Sequence, residues 1–204
     1  MAITINGTGT ITGISAGGLP DNCVTADDLA STLDLSSNTV TLPSGTGGKI
    51  LQIVQTEKTD TSALQVTAQG QWHDVFSRTI TPVAAGSSIH IAWYTSVSTQ
   101  TQNQRGTFRV LRGTDTTVIA DAASNRIRGS FGSIKVMDTY YAQVASMVFL
   151  DTPTYTLGDT LTYKLQAGFE QSAGYIYINR DGNWGDYNTH HAGTSHIVLM
   201  EVAA

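Results

Sequence analysis

"DTLTYKLQAGF", residues 159–169, decides how the chain is read: Leu161, Tyr163 and Leu165 alternate with Thr160, Thr162, Lys164 and Gln166. A period of two belongs to a β-strand, whose successive side chains point to opposite faces. "GYIYINR" (174–180) repeats the pattern, with Tyr175 and Tyr177 on one face and Ile176 and Ile178 on the other. Outward from these lie "KILQIVQTEK" (49–58), "ALQVTAQ" (63–69), "DVFSRTITPV" (74–83) and "SIHIAWYTSV" (88–97). "GTFRVLRG" (106–113), "TTVIADA" (116–122), "YYAQVASMVFLD" (140–151) and "HIVLMEVAA" (196–204) complete the series. All are rich in Val, Ile, Thr, Tyr and Phe, which suit a pleated, half-buried surface. Turn signals such as "RGTD", "LGDT" and "NRDG" separate them. The pattern predicts an all-β fold over residues 49–204: an antiparallel β-sandwich, jelly-roll-like, with the C-terminus tied into a sheet.

The first 48 residues have a different texture. "AITINGTGTITGI" (2–14) fits short extended strands, and "SAGGLPDN" (15–22) is a bend. A compact helix signature follows. Thr25 is placed as N-cap with Asp28 as its capping-box partner, and Val24 and Leu29 occupy staple positions. Leu29 and Leu33 fall one turn apart, Leu35 begins the next extended piece, and residues 44–48 form a Gly-rich joint. A helix of two to three turns is too short to persist alone. The segment 1–48 is thus too small to bury its own apolar side chains, which leaves Val24, Leu29, Leu33 and Leu35 as candidate assembly residues. "PSGTGGKI" (43–50) is no phosphate loop, since Pro43 stands where Gly is required and Ile50 where Ser or Thr must meet the metal.

Composition narrows the function. Of 204 residues, 40% are hydrophobic, enough for a packed core, while 13% are charged, against about 25% in ordinary globular proteins. The surface is polar but weakly charged, as suits an exposed particle or a chain covered by its own copies. A net charge of −5 argues against nucleic acid, which needs clustered cations. Arg105, Arg109, Arg112, Arg126 and Arg128 are interleaved with apolar residues at strand spacing and read as outward-facing. The single Cys23 excludes an internal disulfide framework. "MAITINGTGT" has neither the basic start nor the apolar stretch of a secretion signal, and no apolar run is long enough for membrane insertion.

"NRDGNWGDYNTHHAGTSH" (179–196) is the densest chemistry. It sets Trp184, Tyr187, His190 and His191 among Asp181, Asn183, Asp186 and Asn188. Aromatic faces beside amides and carboxylates can stack on sugar rings and bond their hydroxyls. Asp181, Asn183 and Asp186 could instead offer oxygens to Ca²⁺, but the spacing is poor and no later bidentate Glu follows. The plain alternative is a long inter-strand loop packed on a neighbour. The histidines match no zinc spacing, and no metal or cofactor is expected. His73 beside Asp74 could be an oriented base, but no nucleophile accompanies it and no G-x-S-x-G occurs. No catalytic residue is assigned.

The opening "MAITINGTGTITGISAGGLPDNCVTADDLASTLDLSSNTVTLP" resembles the N-terminal module of tail-fibre-like virion proteins of bacteriophages, cyanophages among them. "KILQIVQTEKTDT", "MVFLDTP", "YIYINRDG" and "TSHIVLMEVAA" resemble the β-rich domain that follows it there. The resemblance implies a virion appendage, a homotrimer joined to other virion proteins through its N-terminal segment. Its outward β domain would touch a host-surface glycan or receptor. Alternatives are a capsid head-fibre or decoration protein and, further off, a glycan depolymerase.

Overall fold

The computed structural model describes residues 50–170, 173–183, 185 and 187–204, apart from the side chains of Thr116, Val118 and Ser133. The helix expected near Thr25, the assembly residues Val24, Leu29, Leu33 and Leu35, and the loop residues Trp184 and Asp186 lie outside the described residues.

The alternating segments form β1 (Ile50–Lys58), β2 (Ser62–Val66), β3 (Trp72–Ile80), β4 (Ser88–Thr99), β5 (Arg105–Arg112) and β6 (Asp115–Val118). They continue as β7 (Phe131–Lys135), β8 (Gln143–Asp151), β9 (Leu161–Phe169), β10 (Gly174–Ile178) and β11 (Ser195–Val202). All pairings are antiparallel, and no helix occurs among the described residues.

The topology becomes simple once end-to-end strands are merged. β10 and β11 lie in line along one edge of β4, β1 and β2 lie in line along them, and β6 and β7 share one edge of β5. Eleven strands less three mergers leave eight positions, ordered 1-8-3-6 in one sheet and 2-7-4-5 in the other. Successive positions cross between the sheets, except that positions 4 and 5 are neighbours in one sheet, which is the jelly-roll order.

Side-chain alternation closes the core. Leu161, Tyr163 and Leu165 face inward as their spacing requires, as do Ile176 and Ile178, against Ile89, Ile91 and Trp93 of β4. Trp93 sits 5.8 Å from the Phe108 ring and edge-on to Phe131 at 6.2 Å, so the two sheets meet through aromatic contacts. Each such side chain contributes about 1.5–3 kcal/mol through burial.

Two polar devices lie at the margins of that core. Asp151 on β8 accepts hydrogen bonds from Arg112 and Tyr163, which belong to the opposite sheet. Arg112 therefore reaches across the sandwich instead of standing outward, since it pairs with the inward-facing Tyr163 in the ladder. Burial and the Asp151 bond push the Tyr163 hydroxyl above its ordinary value. On β11, fully buried Glu201 accepts from Gln52 and from the Val83 and Ala84 amides, fixing the β3–β4 connection. Burial alone would push its carboxyl up, but the bonds from Gln52, Val83, Ser87 and Ala84 hold it below its ordinary value.

The outer faces differ. The 2-7-4-5 sheet is polar outside: Asp74 bonds Lys164 and Gln166, Gln166 bonds Arg109, and the Arg109 guanidinium covers Trp72 at 4.3 Å. The other sheet exposes Ile53, Val144, Val148 and Leu150. Ile53, Met200, His90 and Leu150 form one row across four strands.

Candidate functional site

The eighth position is one long strand cut in two. Ile178 pairs with Val97 of β4 and His196 with Tyr94, so the sheet resumes after an excursion from Asn179 to Thr194. Opposite, residues 59–61 separate β1 from β2, which leaves space at the cut.

Asn179 occupies that space. It is fully buried with φ +62°, a left-handed conformation that asparagine tolerates better than most side chains. Its Nδ2 donates to the Lys58 and Asp60 carbonyls at 2.8 and 3.0 Å, and its Oδ1 accepts from the Ser195 hydroxyl. Thr95 adds a further hydroxyl contact to Ser195 at 2.7 Å. This buried chain of polar groups ties three neighbouring strand positions together, and such networks stabilise when every member is satisfied. Backbone bonds from Asn179 to Ser96 and from Gly193 to Asn179, with the Arg180–Ala192 bridge, narrow the neck.

Above the neck, Asp181 is fully buried and accepts from His190 Nδ1 at 3.0 Å and from the His191 amide at 3.1 Å. The Nδ1 bond leaves His190 Nε2 as the ring's other hydrogen-bonding atom. Gly182 and Asn183 donate their amides to the Thr139 carbonyl, docking the excursion on the β7–β8 connection. A Cβ at Gly182 would lie 2.4 Å from the Thr99 carbonyl oxygen, so only glycine fits that approach.

The result is an exposed aromatic cluster on a fixed base. Tyr187 and Tyr140 lie 5.5 and 5.9 Å from the His190 ring, and Tyr140, Tyr141 and Tyr187 are 52%, 68% and 71% exposed. Asn183, Asn188 and His191 are exposed in the same loop. Flat phenol faces beside amide and imidazole groups can stack on a sugar ring and bond its hydroxyls.

Of the residues singled out in the sequence, the structure brings the rings of Tyr187 and His190 together, while Asn183 and His191 are exposed in the same loop. Asp181 is corrected from ligand contact to loop support, because its carboxylate is committed to His190 and His191 and has no exposed surface. Tyr140 and Tyr141, read from the sequence as strand residues, lie in the turn before β8 and add two exposed rings. The adjoining Asp138-Thr139 was the available turn signal. His73 and Asp74 form no dyad: Asp74 is held by Lys164 and Gln166, and His73 Nε2 is buried without a hydrogen-bond partner.

No protein-family model matches the chain, and no curated protein does. Among solved structures, the chain is similar to "Crystal structure of infectious bursal disease virus VP2 subviral particle", at 14% identity and a TM-score of 0.40, covering 75% of this chain and 38% of that one. It is also similar to the infectious bursal virus-derived T=1 particle protein, at 13% identity and a TM-score of 0.40, covering 95% and 52% respectively. The Gx strain of infectious bursal disease virus gives 15% identity and a TM-score of 0.39, over 75% and 36%. The chain thus spans 36–52% of the length of these structures.

Proposed function

We propose that this chain is a virion structural protein of the tail-fibre-like appendage type, and that its excursion between β10 and β11 holds a host-surface glycan. The observation that carries the reading is the pair of exposed Tyr140 and Tyr187 rings about His190, with exposed Tyr141 next in the chain, on a base clamped by Asn179 and Asp181. A binding surface of rigid aromatic rings loses little conformational entropy when a ligand docks. The resemblance of residues 1–43 to a fibre attachment module supports a role for the segment 1–48 in joining the virion and in trimerisation. The protein acts by binding, without turnover.

A glycan array probed with the full chain tests the site. Binding should fall at least tenfold in Tyr187→Ala and in Tyr140→Ala while the melting temperature holds. Absence of glycan binding, or binding indifferent to both changes, overturns the reading. Light scattering should give a trimer mass for the full chain, lowered in Leu29→Asp/Leu33→Asp, and release of reducing ends from host polysaccharide would contradict a binding-only role.

A further inference from the structure

A cleft of about 380 Å³, sharing no lining residue with the aromatic loop, is lined by Gln69, Arg105, Asn125, Arg126, Ile127 and Glu170. Its walls come from four separate segments: the β2–β3 turn, the start of β5, the β6–β7 connection and the residue after β9. The geometry points to this cleft as a binding site for an acidic sugar residue, one carrying a carboxylate or a sulfate.

Charge is the first argument. In a chain of net charge −5, this cleft gathers two guanidinium groups against one carboxylate. Arg105 is only loosely paired, its Nη1 standing 3.9 Å from Glu170, and the Arg126 guanidinium is exposed and makes no ion pair among the described residues. A guanidinium with its fork open takes a planar or tetrahedral oxyanion through two parallel bonds. The remaining lining fits a sugar better than a bare ion: Asn125 and Gln69 offer amide groups to hydroxyls, and Ile127 offers an apolar wall to ring C–H groups. The volume falls in the range of about 300–1,000 Å³ usual for small-molecule sites.

Preorganisation is the second argument. The connection carrying Arg126 is tied by Ala120 N to Gly129 O, by Arg126 N to Ala123 O and by Arg128 Nε to Ala120 O. Ser124 within it holds φ +52°, an uncommon conformation for a residue other than glycine. On the opposite wall, the Glu170 backbone is held by the Arg105 carbonyl and by Gln69 Nε2. Both cation-bearing walls are thus fixed before any ligand arrives.

The site is independent of the proposed aromatic loop, and one experiment separates the two. Isothermal titration of the full chain uses trigalacturonate, a sulfated heparin disaccharide, maltotriose and inorganic sulfate. Trigalacturonate, the sulfated disaccharide or both should bind, with affinity falling at least tenfold in Arg126→Gln and in Arg105→Gln and unchanged in Tyr187→Ala. The two acidic probes tell carboxylate from sulfate preference. Equal binding of maltotriose, equal binding of inorganic sulfate, no binding of either acidic probe, or indifference to Arg126→Gln overturns the proposal. Arg126 is exposed, so its loss should leave the melting temperature unchanged and the outcome readable.

Discussion

Truncating Asn179 to alanine removes the bonds to Lys58 O and Asp60 O and leaves the Ser195 hydroxyl without its acceptor, all in a buried site. The expected cost is about 3 kcal/mol, read as a lowered midpoint in urea. Asn179→Gly keeps the positive φ but not the side chain, so it should recover only the smaller backbone part of that loss. Glu201 provides a second test at this scale. Its folded-state value is depressed, so the ionised group stabilises above its ordinary value of 4.5, and that stabilisation is lost as pH falls through the depressed value. The melting temperature of Glu201→Gln should therefore depend less on pH below 4.5 than that of the unaltered chain. These residues mark a limit of the sequence. The density of Asp, Asn and His in 179–196 singled out that loop, but Asn179 and Asp181 have the same chemistry whether they meet a ligand or a neighbouring backbone. Only burial distinguishes the two roles, and burial depends on strands far away in the chain. Tyr140 and Tyr141 were hidden for the opposite reason, because tyrosine favours strands and nothing local fixes the start of β8 at Gln143.

Among the elements, β8 is tied to the other sheet by an ion pair that adds to the packing of Ala145, Met147 and Phe149 on the core. Asp151→Ala strips Arg112 and Tyr163 of a shared acceptor in a partly buried position and should cost about 3 kcal/mol. Asp151→Asn retains one acceptor oxygen and should cost less than half as much, a difference visible by differential scanning calorimetry. Strand existence was legible wherever apolar residues alternated, as in β9, β10 and β11, because one face of each meets the core. β7 was missed: "FGSIK" carries a glycine and pairs with β5 through a register shift between Gly106 and Phe108. It holds its place by packing Phe131 edge-on to Trp93, a contact between residues far apart in sequence. The pairing of β10 and β11 along one strand was likewise invisible, since no local pattern says that two segments share a neighbour.

For the molecule as a whole, the two outer faces are unequal. The polar lattice of Asp74, Lys164, Gln166 and Arg109 covers one sheet, whereas the other presents Ile53, Val144, Val148 and Leu150 to water. A Val148→Lys/Leu150→Lys variant should melt within about 0.5 kcal/mol of the unaltered chain, because neither side chain contributes to the core. Binding of a hydrophobic dye to the native protein should fall, since the apolar row is then interrupted at β8. Unfolding of β1–β11 should be a single transition by near- and far-ultraviolet circular dichroism, as both sheets contribute to the same core.

The interrupted eighth strand makes the sandwich a socket. The sheet register is set by Ile178 on one side of the cut and His196 on the other, and Asn179 holds the two halves in line. What lies beyond the Arg180–Ala192 bridge is a cartridge: its ends are fixed, and doubling its length would cost only about 0.6 kcal/mol in closure entropy. Foreign peptides inserted at Asn188–Thr189, beyond the docked Asp181, Gly182 and Asn183, would be displayed on a scaffold whose strand ends are already fixed.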